Sequence, residues 1–318
     1  MEYRSIGKTG IKITPILMGT WQAGKKDWVG IEDKVSTRAI QAAFESGIGA
    51  FDTAEAYGAG RSERILGSVL SHARDRVVYI TKVSPNHLKY DQVQQACHRS
   101  LKNLKTDYID LYMVHWPAGS WGTKEVPMEE TLEAMNELKQ KCKIRAIGVS
   151  NFSLPQLKEA RQYSTIDSLQ PPYSLFWRYV EHDTMPYCLK NKITLLAYSP
   201  LAQGLLTGKF DLSHKFDKKD NRSRNRLFRG ENAERAHRAL ARLRPIAERY
   251  DLSLGQLALA WVIAQPGTSA IAGARNEDQV MENVGAAEVR LSEADLKEMN
   301  IIGRTVTDPM DDNPVMRD

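Results

Sequence analysis

The sequence predicts an α/β fold, a closed barrel of eight parallel strands ringed by helices. Three observations carry this expectation. Short runs rich in β-branched residues alternate with stretches of helical periodicity along nearly the whole chain. Those short runs are apolar on both sides, as strands covered on both faces must be. The strand–helix units number eight, the count of the (β/α)8 TIM barrel. The competing architecture, an open doubly wound sheet, usually carries a glycine-rich turn after its first strand. Here that turn reads Gly19-Thr20-Trp21-Gln22-Ala23-Gly24, without a GxGxxG pattern.

Taken in order, residues 3–14 read as a β-hairpin that closes the barrel bottom. Tyr3 and Ile6 precede the turn Lys8-Thr9-Gly10, and Ile11 and Ile13 follow it. Pro15 stops the hairpin, and Ile16-Leu17-Met18 is a short buried strand. The helix Asp33–Ser46 follows, with Val35, Ala39, Ile40, Ala43 and Phe44 at helical spacing and Gly47 closing it. The unit then repeats. Strand 49–52 leads to helix Ser62–Ser71, strand 77–81 to helix Asp91–Leu104, and strand 108–114 to helix Met128–Lys139. Strand 144–149 leads to helix Leu154–Arg161, and strand 167–170 to a helix near Met185–Lys190. Strand 193–198 leads through a long loop to helices near 231–250 and 253–264. Strand 269–272 and helix Glu277–Ala286 end the series. Residues 1–304 are thus read as one barrel domain. Residues 305–318, with Pro309, Pro314 and several aspartates, read as a poorly periodic tail that either hangs free or folds across the rim.

Composition narrows the function classes. A chain of 318 residues with net charge +5 is ordinary for a soluble globular protein, and the charge is too diffuse to argue for nucleic acid. Cys97, Cys142 and Cys188 are odd in number and form no CxxC pair, so reduced thiols in a cytoplasmic protein are expected. No signal peptide and no apolar run of membrane-spanning length is read. His72, His87, His98, His182, His214 and His237 form no spaced cluster with cysteines or acids, so no metal is expected. The basic run of Lys215, Lys218, Lys219, Arg222, Arg224, Arg226 and Arg229 is read first as a solvated loop and second as a lid.

The chemistry gathers at strand ends. Asp52, Lys82 and His115 end strands two, three and four, and Tyr57 follows strand two. Ends of neighbouring barrel strands share one rim, where active sites lie. A free phenol has a pKa of about 10 and is a poor proton donor near neutrality. A neighbouring ammonium stabilises the phenolate and makes the proton easier to give. Asp52 would hold Lys82 charged, and His115 would direct a ring nitrogen at a substrate oxygen. That is a proton donor beside a carbonyl, and it needs a hydride source. Ser150, Asn151 and Gln170 offer amide and hydroxyl groups suited to a carboxamide, and Tyr198 offers a flat face for stacking. Each residue also has a bland reading: a buried ion pair for Asp52 and Lys82, a core histidine for His115, a packed aromatic for Tyr57. For Ser150-Asn151 it is a helix cap, a job for which Ser153 competes.

The sequence resembles the aldo-keto reductases. The matching segments are Asp52-Thr53-Ala54 with Tyr57-Gly58, Lys82, His115, Ile147 to Phe152, Gln170, Tyr198-Ser199-Pro200-Leu201, and Gly273-Ala274-Arg275 with Gln279 and Asn283. The resemblance implies NADPH bound without a Rossmann fold. It implies Tyr57 as general acid, Lys82 and Asp52 as its tuning pair, and His115 as orienting group. Ser150, Asn151 and Gln170 would hold the nicotinamide carboxamide and Tyr198 would stack beneath the ring. Gly19, Thr20, Trp21, Asp52, Ser199 and Leu201 would complete that end of the cofactor site. Gly204 and Lys209 would lie near the pyrophosphate. Many members have Lys-Ser where this chain has Gly273-Ala274, and Arg275 is the expected substitute for binding the 2′-phosphate. Gln279 and Asn283, four apart on one helix face, would reach adenine. Trp21, Tyr57, His115, Trp116 and, further out, Trp28 would line the mouth for a small carbonyl substrate, in a monomer or weak oligomer.

Two other functions compete. Potassium-channel β subunits share this barrel and bind NADPH as redox-sensing regulatory proteins, but carry extra N-terminal segments, whereas this chain begins almost at the hairpin. A Schiff-base enzyme could use Lys82 as its nucleophile, but would leave Ser150, Asn151, Gln170 and Tyr198 without a task.

Overall fold

The computed structural model describes residues 2–26 and 28–310. In chain order the elements are β1 (Arg4–Ser5), β2 (Lys12–Ile13), β3 (Ile16–Gly19), α1 (Asp33–Glu45), β4 (Ala50–Asp52) and α2 (Arg61–Leu70). Next come β5 (Val78–Val83), α3 (Tyr90–Leu104), β6 (Ile109–Val114), α4 (Met128–Gln140), β7 (Ile144–Ser150) and α5 (Leu154–Tyr163). Then follow β8 (Ser168–Gln170), α6 (Thr184–Asn191), β9 (Thr194–Tyr198), α7 (Gly230–Arg249) and α8 (Leu254–Ala264). The series ends with β10 (Thr268–Gly273), α9 (Glu277–Gly285) and α10 (Glu293–Thr307). Strands β3 to β10 pair in parallel and in order, and β10 closes onto β3, giving the (β/α)8 barrel.

Successive strand residues point to opposite faces. One apolar cluster, with Leu17, Ala50, Ile80, Leu111, Met113, Ala146, Leu196 and Ile271, fills the barrel interior. A second, with Phe51, Tyr79, Tyr112, Ile147 and Leu169, packs the outer strand faces against the helices. The chain comes unusually close to itself where glycine stands in the helix layer. A Cβ on Gly67 of α2 would lie 2.5 Å from the Asn103 carbonyl oxygen, so only glycine lets α2 and α3 meet there.

The hairpin β1–β2 lies at the bottom, as expected. The Gly7 amide donates to Thr194 Oγ1 at 2.8 Å, and that hydroxyl donates to the Ser5 carbonyl at 2.8 Å, tying the hairpin to the N-terminal end of β9. Its Ile6, Ile11 and Ile13 join the interior cluster and seal it from below. Helix starts are capped by side chains at Ser153, Ser253, Asn276 and Ser292.

Two expectations need correction. The domain boundary at 304 falls inside α10, a helix not foreseen from the sequence. Its Met299, Ile302 and Val306 are buried, and Gly303 lets it press on the Leu175 carbonyl, where a Cβ would come within 2.6 Å. Residues 305–307 are therefore helix; of the expected tail, residues 311–318 lie outside the described residues. The loop after β9 is also not simply solvated. Lys215, Lys218 and Lys219 are exposed, but from Asp220 the chain packs down, burying Asp220, Asn221, Asn225 and Leu227. Among the described residues no helix is long and apolar enough to cross a membrane.

If the hairpin plugs the interior, shortening a plug residue opens a cavity there. Ile13→Ala should cost about 2–5 kcal/mol in urea unfolding, with the barrel fold retained. A loss within experimental error would show that the hairpin merely lies against the barrel.

Candidate active site

The alternation of a strand explains why polar residues converge at the top. Ala50 faces inward, so Asp52 does too; the same step of two carries Ile80 to Lys82, Met113 to His115, Leu196 to Tyr198 and Ile271 to Gly273. Ala146 leads by two such steps to Ser150. Most strands thus offer apolar residues to the core and one polar residue to the rim, while β3 and β10 end in Gly19 and Gly273.

At the centre is Lys82, with no solvent exposure. Its ammonium donates to Asp52 Oδ1 at 2.7 Å and to the Thr53 carbonyl at 2.7 Å. Asp52 Oδ2 accepts from Gln170 Nε2 at 2.9 Å, so both carboxylate oxygens are engaged. Burial pushes the Lys82 pKa down, and the charge and hydrogen bond of Asp52 push back. The ammonium lies 5.1 Å from the centroid of the Tyr57 ring. Tyr57 meets the His115 ring edge-to-face at 5.6 Å and stacks near Trp21 at 6.1 Å.

The turn that carries Tyr57 is held from several sides. Gly58 has φ +62°, and a Cβ there would lie 2.2 Å from the Gly24 carbonyl oxygen, so the turn rests directly on the loop after β3. Glu55 accepts from the Ser84 amide at 2.8 Å and pairs with His87 at 2.9 Å. The Ser62 hydroxyl bonds the Thr20 carbonyl at 2.8 Å and accepts from Thr53 Oγ1 at 2.9 Å, locking the residue whose carbonyl receives Lys82.

His115 is 8% exposed, and its Nδ1 is buried without a hydrogen-bond partner among the described residues. Burial, then the charge of Lys82, hold its pKa well below that of an ordinary histidine. It is neutral at physiological pH, with a ring nitrogen unspent.

A connected polar set stands beside these groups. Ser150 Oγ donates to the Gln170 carbonyl at 2.8 Å, and Asn151 Nδ2 donates to Ser150 Oγ and to the His115 carbonyl, each at 3.0 Å. Tyr198 OH donates to Asn151 Oδ1 at 2.8 Å. Asn151 makes these bonds from a left-handed backbone, φ +63°, which asparagine tolerates better than most residues. Ser153 takes the cap of α5, so Asn151 is free of that task.

These residues line a cavity of about 810 Å³. Gly19, Trp21, Ser199, Leu201, Gly204, Lys209, Gly273, Arg275, Gln279, Asn283 and Trp116 all lie on its wall. Thr20 does not: its hydroxyl is buried, donating to the Asp52 carbonyl at 2.9 Å. Lys82 also lies behind the wall rather than on it. Gln279 and Asn283 are partly committed to the turn after β10, for Gln279 Oε1 accepts from the Arg275 amide at 2.9 Å and Asn283 Nδ2 donates to the Gly273 carbonyl at 3.3 Å. Lys209 is mostly exposed, 3.6 Å from Glu282.

Sequence reasoning did not single out Gln22 or Trp121, both on the wall. Gln22 packs where a Gly273 side chain would be, its Nε2 2.1 Å from a Cβ placed there. Trp121 is 56% exposed, has φ +61° and lies 5.5 Å from the His115 ring. A bulky residue in that backbone region is an outlier that only a structure reveals. No group of metal-ligating side chains occurs among the described residues.

Comparison with known proteins fits this geometry. The Aldo/keto reductase family profile matches residues 15–304. The chain belongs to the aldo/keto reductase family. It is 40% identical to an aldo-keto reductase of Bacillus subtilis over 98% of this chain and 96% of that one. It is 34% identical to an NADH-specific methylglyoxal reductase of Escherichia coli, over 93% of this chain and 96% of the relative. Among solved structures, a glycerol dehydrogenase from Gluconobacter oxydans superposes with TM-score 0.88 at 32% identity, covering 97% of each chain. An aldo-keto reductase from Klebsiella pneumoniae in complex with NADPH superposes with TM-score 0.77 at 27% identity, covering 100% of this chain and 99% of that one. A probable voltage-gated potassium channel β subunit of Arabidopsis thaliana is 31% identical over 91% of this chain and 92% of its own length.

The depressed His115 pKa has a consequence for stability. The unfolded chain protonates its histidine near pH 6.5 and the folded chain does not. The folded state therefore binds fewer protons below that pH, and the stability conferred by neutral His115 is complete above pH 6.5 and lost as pH falls toward the depressed folded value. The expected slope is up to about 1.4 kcal/mol per pH unit. In His115→Asn that component should vanish from urea midpoints measured at pH 5 to 7; an unchanged slope would place His115's ionisation at its ordinary value.

Proposed function

We propose that the protein reduces aldehydes and ketones to alcohols with NADPH, and runs the reverse reaction with NADP+. The observation that carries this reading is the buried Lys82–Asp52 pair lying beneath the Tyr57 ring beside an uncommitted nitrogen of neutral His115.

The residues present fit the cofactor. Ser150, Asn151 and Gln170 form a donor–acceptor network suited to a carboxamide, and Tyr198 stands at its edge. Arg275 Nη2 is buried without an acceptor among the described residues, which suits a 2′-phosphate. When bound, NADPH supplies the hydride.

The chain's own residues would do the rest. Tyr57 would give its proton to the carbonyl oxygen as negative charge develops there. Lys82, its charge supported by Asp52 and the Thr53 carbonyl against the pull of burial, would stabilise the phenolate left behind. His115, being neutral, would orient the substrate oxygen by a hydrogen bond rather than repel Lys82. Trp21, Trp116 and Trp121 would keep water from the reacting carbon and accept a small carbonyl compound.

The E. coli relative's preference for NADH bears on cofactor choice, and the arginine facing this cavity supports NADPH for the present chain.

Tyr57→Phe keeps the ring and removes the proton. It should lower kcat for carbonyl reduction by about 10²-fold or more while NADPH affinity stays nearly unchanged. Near-normal turnover in that variant would contradict the assignment.

A further inference from the structure

Three side chains from three neighbouring loops meet on the cavity wall. Trp28 lies in the loop after β3, Arg222 in the loop after β9 and Arg275 in the turn after β10, and these strands are adjacent in the barrel. The Arg222 guanidinium carbon is 5.4 Å from the Trp28 ring centroid and that of Arg275 is 5.3 Å from it. Both are within cation–π reach of one indole.

The sequence placed Trp28 at the substrate mouth. It does touch Trp21, edge-to-face at 5.1 Å, but its cationic neighbours give it a second context. Arg222 is fixed there by Asp220, which is 4% exposed. Arg222 Nε donates to Asp220 Oδ1 at 2.8 Å and Nη2 to Oδ2 at 2.7 Å, a two-pronged grip that holds the guanidinium plane. Arg222 also lies 4.5 Å from the Phe216 ring centroid and 5.3 Å from that of Phe210.

Two donors in this cluster have nothing to donate to. Trp28 Nε1 and Arg275 Nη2 are both buried without an acceptor among the described residues. A buried unmet donor is costly, and two of them beside a pair of guanidiniums define a place short of negative charge and acceptor oxygens. Asp220 offsets the charge of one guanidinium only. The remaining need is for a compact anion with several oxygens at different angles, which describes a phosphate monoester better than a planar carboxylate.

We propose that Trp28 and Arg222 complete, with Arg275, the seat of the cofactor's 2′-phosphate, and so set the preference for NADPH over NADH. Trp28 donates its indole N–H to the phosphate. Arg222 adds charge and holds the indole in place, and Asp220 positions Arg222. The inference rests on the reading of Arg275 as the 2′-phosphate residue. It adds two residues that come from loops otherwise assigned to substrate and to solvent.

Calorimetric titration of the full chain with NADPH, NADH and 2′-AMP tests it without turnover. Trp28→Phe keeps an aromatic face and removes the N–H. It should weaken NADPH and 2′-AMP by about tenfold while NADH changes by less than about twofold. Arg222→Lys keeps the charge and loses the planar fork, and should move the same two ligands in the same direction. Equal losses for NADPH and NADH would make Trp28 a general cover of the cleft and overturn the proposal, as would no loss for either. Wild-type protein that binds NADPH and NADH equally would show that no phosphate seat exists. Wild-type protein that binds neither would instead overturn the functional reading itself.

Discussion

An ammonium with no exposure to water must be answered from within the protein. Lys82 is answered by one carboxylate oxygen of Asp52 and one backbone carbonyl, and almost everything else at the rim follows from keeping those two acceptors in place. Breaking one side of such a pair leaves an uncompensated buried charge, which costs about 3–5 kcal/mol in proteins generally. The surroundings are arranged to prevent that. Gln170 holds the second Asp52 oxygen, the Thr20–Ser62–Thr53 hydroxyls hold the strand ends, and the Gly24–Gly58 contact holds the turn that brings Tyr57 over the lysine.

The barrel is what makes this possible at modest cost. A strand that spends its inward residues on Ala50, Ile80, Met113 and Leu196 can place one polar residue at its open end without burying a charge in the apolar interior. The hairpin closes the other end with Ile6, Ile11 and Ile13. Below the polar layer the side chains form a packed apolar core, and above it the loops carry aromatic residues. Asp52 supports the charge of Lys82 against burial, whereas His115 is held neutral, because desolvation and a nearby positive charge both disfavour the imidazolium. Burial lowers the pKa of both groups, but only Lys82 has a carboxylate and a hydrogen bond to oppose that shift, and this difference in partners is what separates their roles.

Much of this was legible in the sequence. The eightfold alternation and the hairpin follow from apolar periodicity and turn residues, and the strand ends fall within a residue or two of their observed positions. The rim residues were legible because a strand's period of two is fixed, so an acid or lysine closing an apolar run has one face available. Helix α10 was missed although Ser292, Leu296, Met299 and Val306 carry a helical pattern, since eight units had already accounted for the barrel. The packing of Asp220 to Phe228 was not legible either. A run of arginines reads as solvated until the aromatic rings beneath it are known, and Trp28 and Phe216 come from stretches of sequence that give no sign of meeting Arg222. Trp121 is a third case, for a positive φ at tryptophan is a property of the loop and not of the residue.

The central claim is that Lys82 and Asp52 together set the acidity of the proton donor. The most direct test is the pH dependence of kcat/KM for carbonyl reduction in wild type and in Lys82→Met/Asp52→Asn, a change that removes both charges and so leaves neither buried alone. The account predicts that the alkaline fall in rate moves to higher pH in the double variant while the rate below it drops. An alkaline limb at the same pH in both proteins would contradict it, because the ionisation that governs the reaction would then owe nothing to the buried pair.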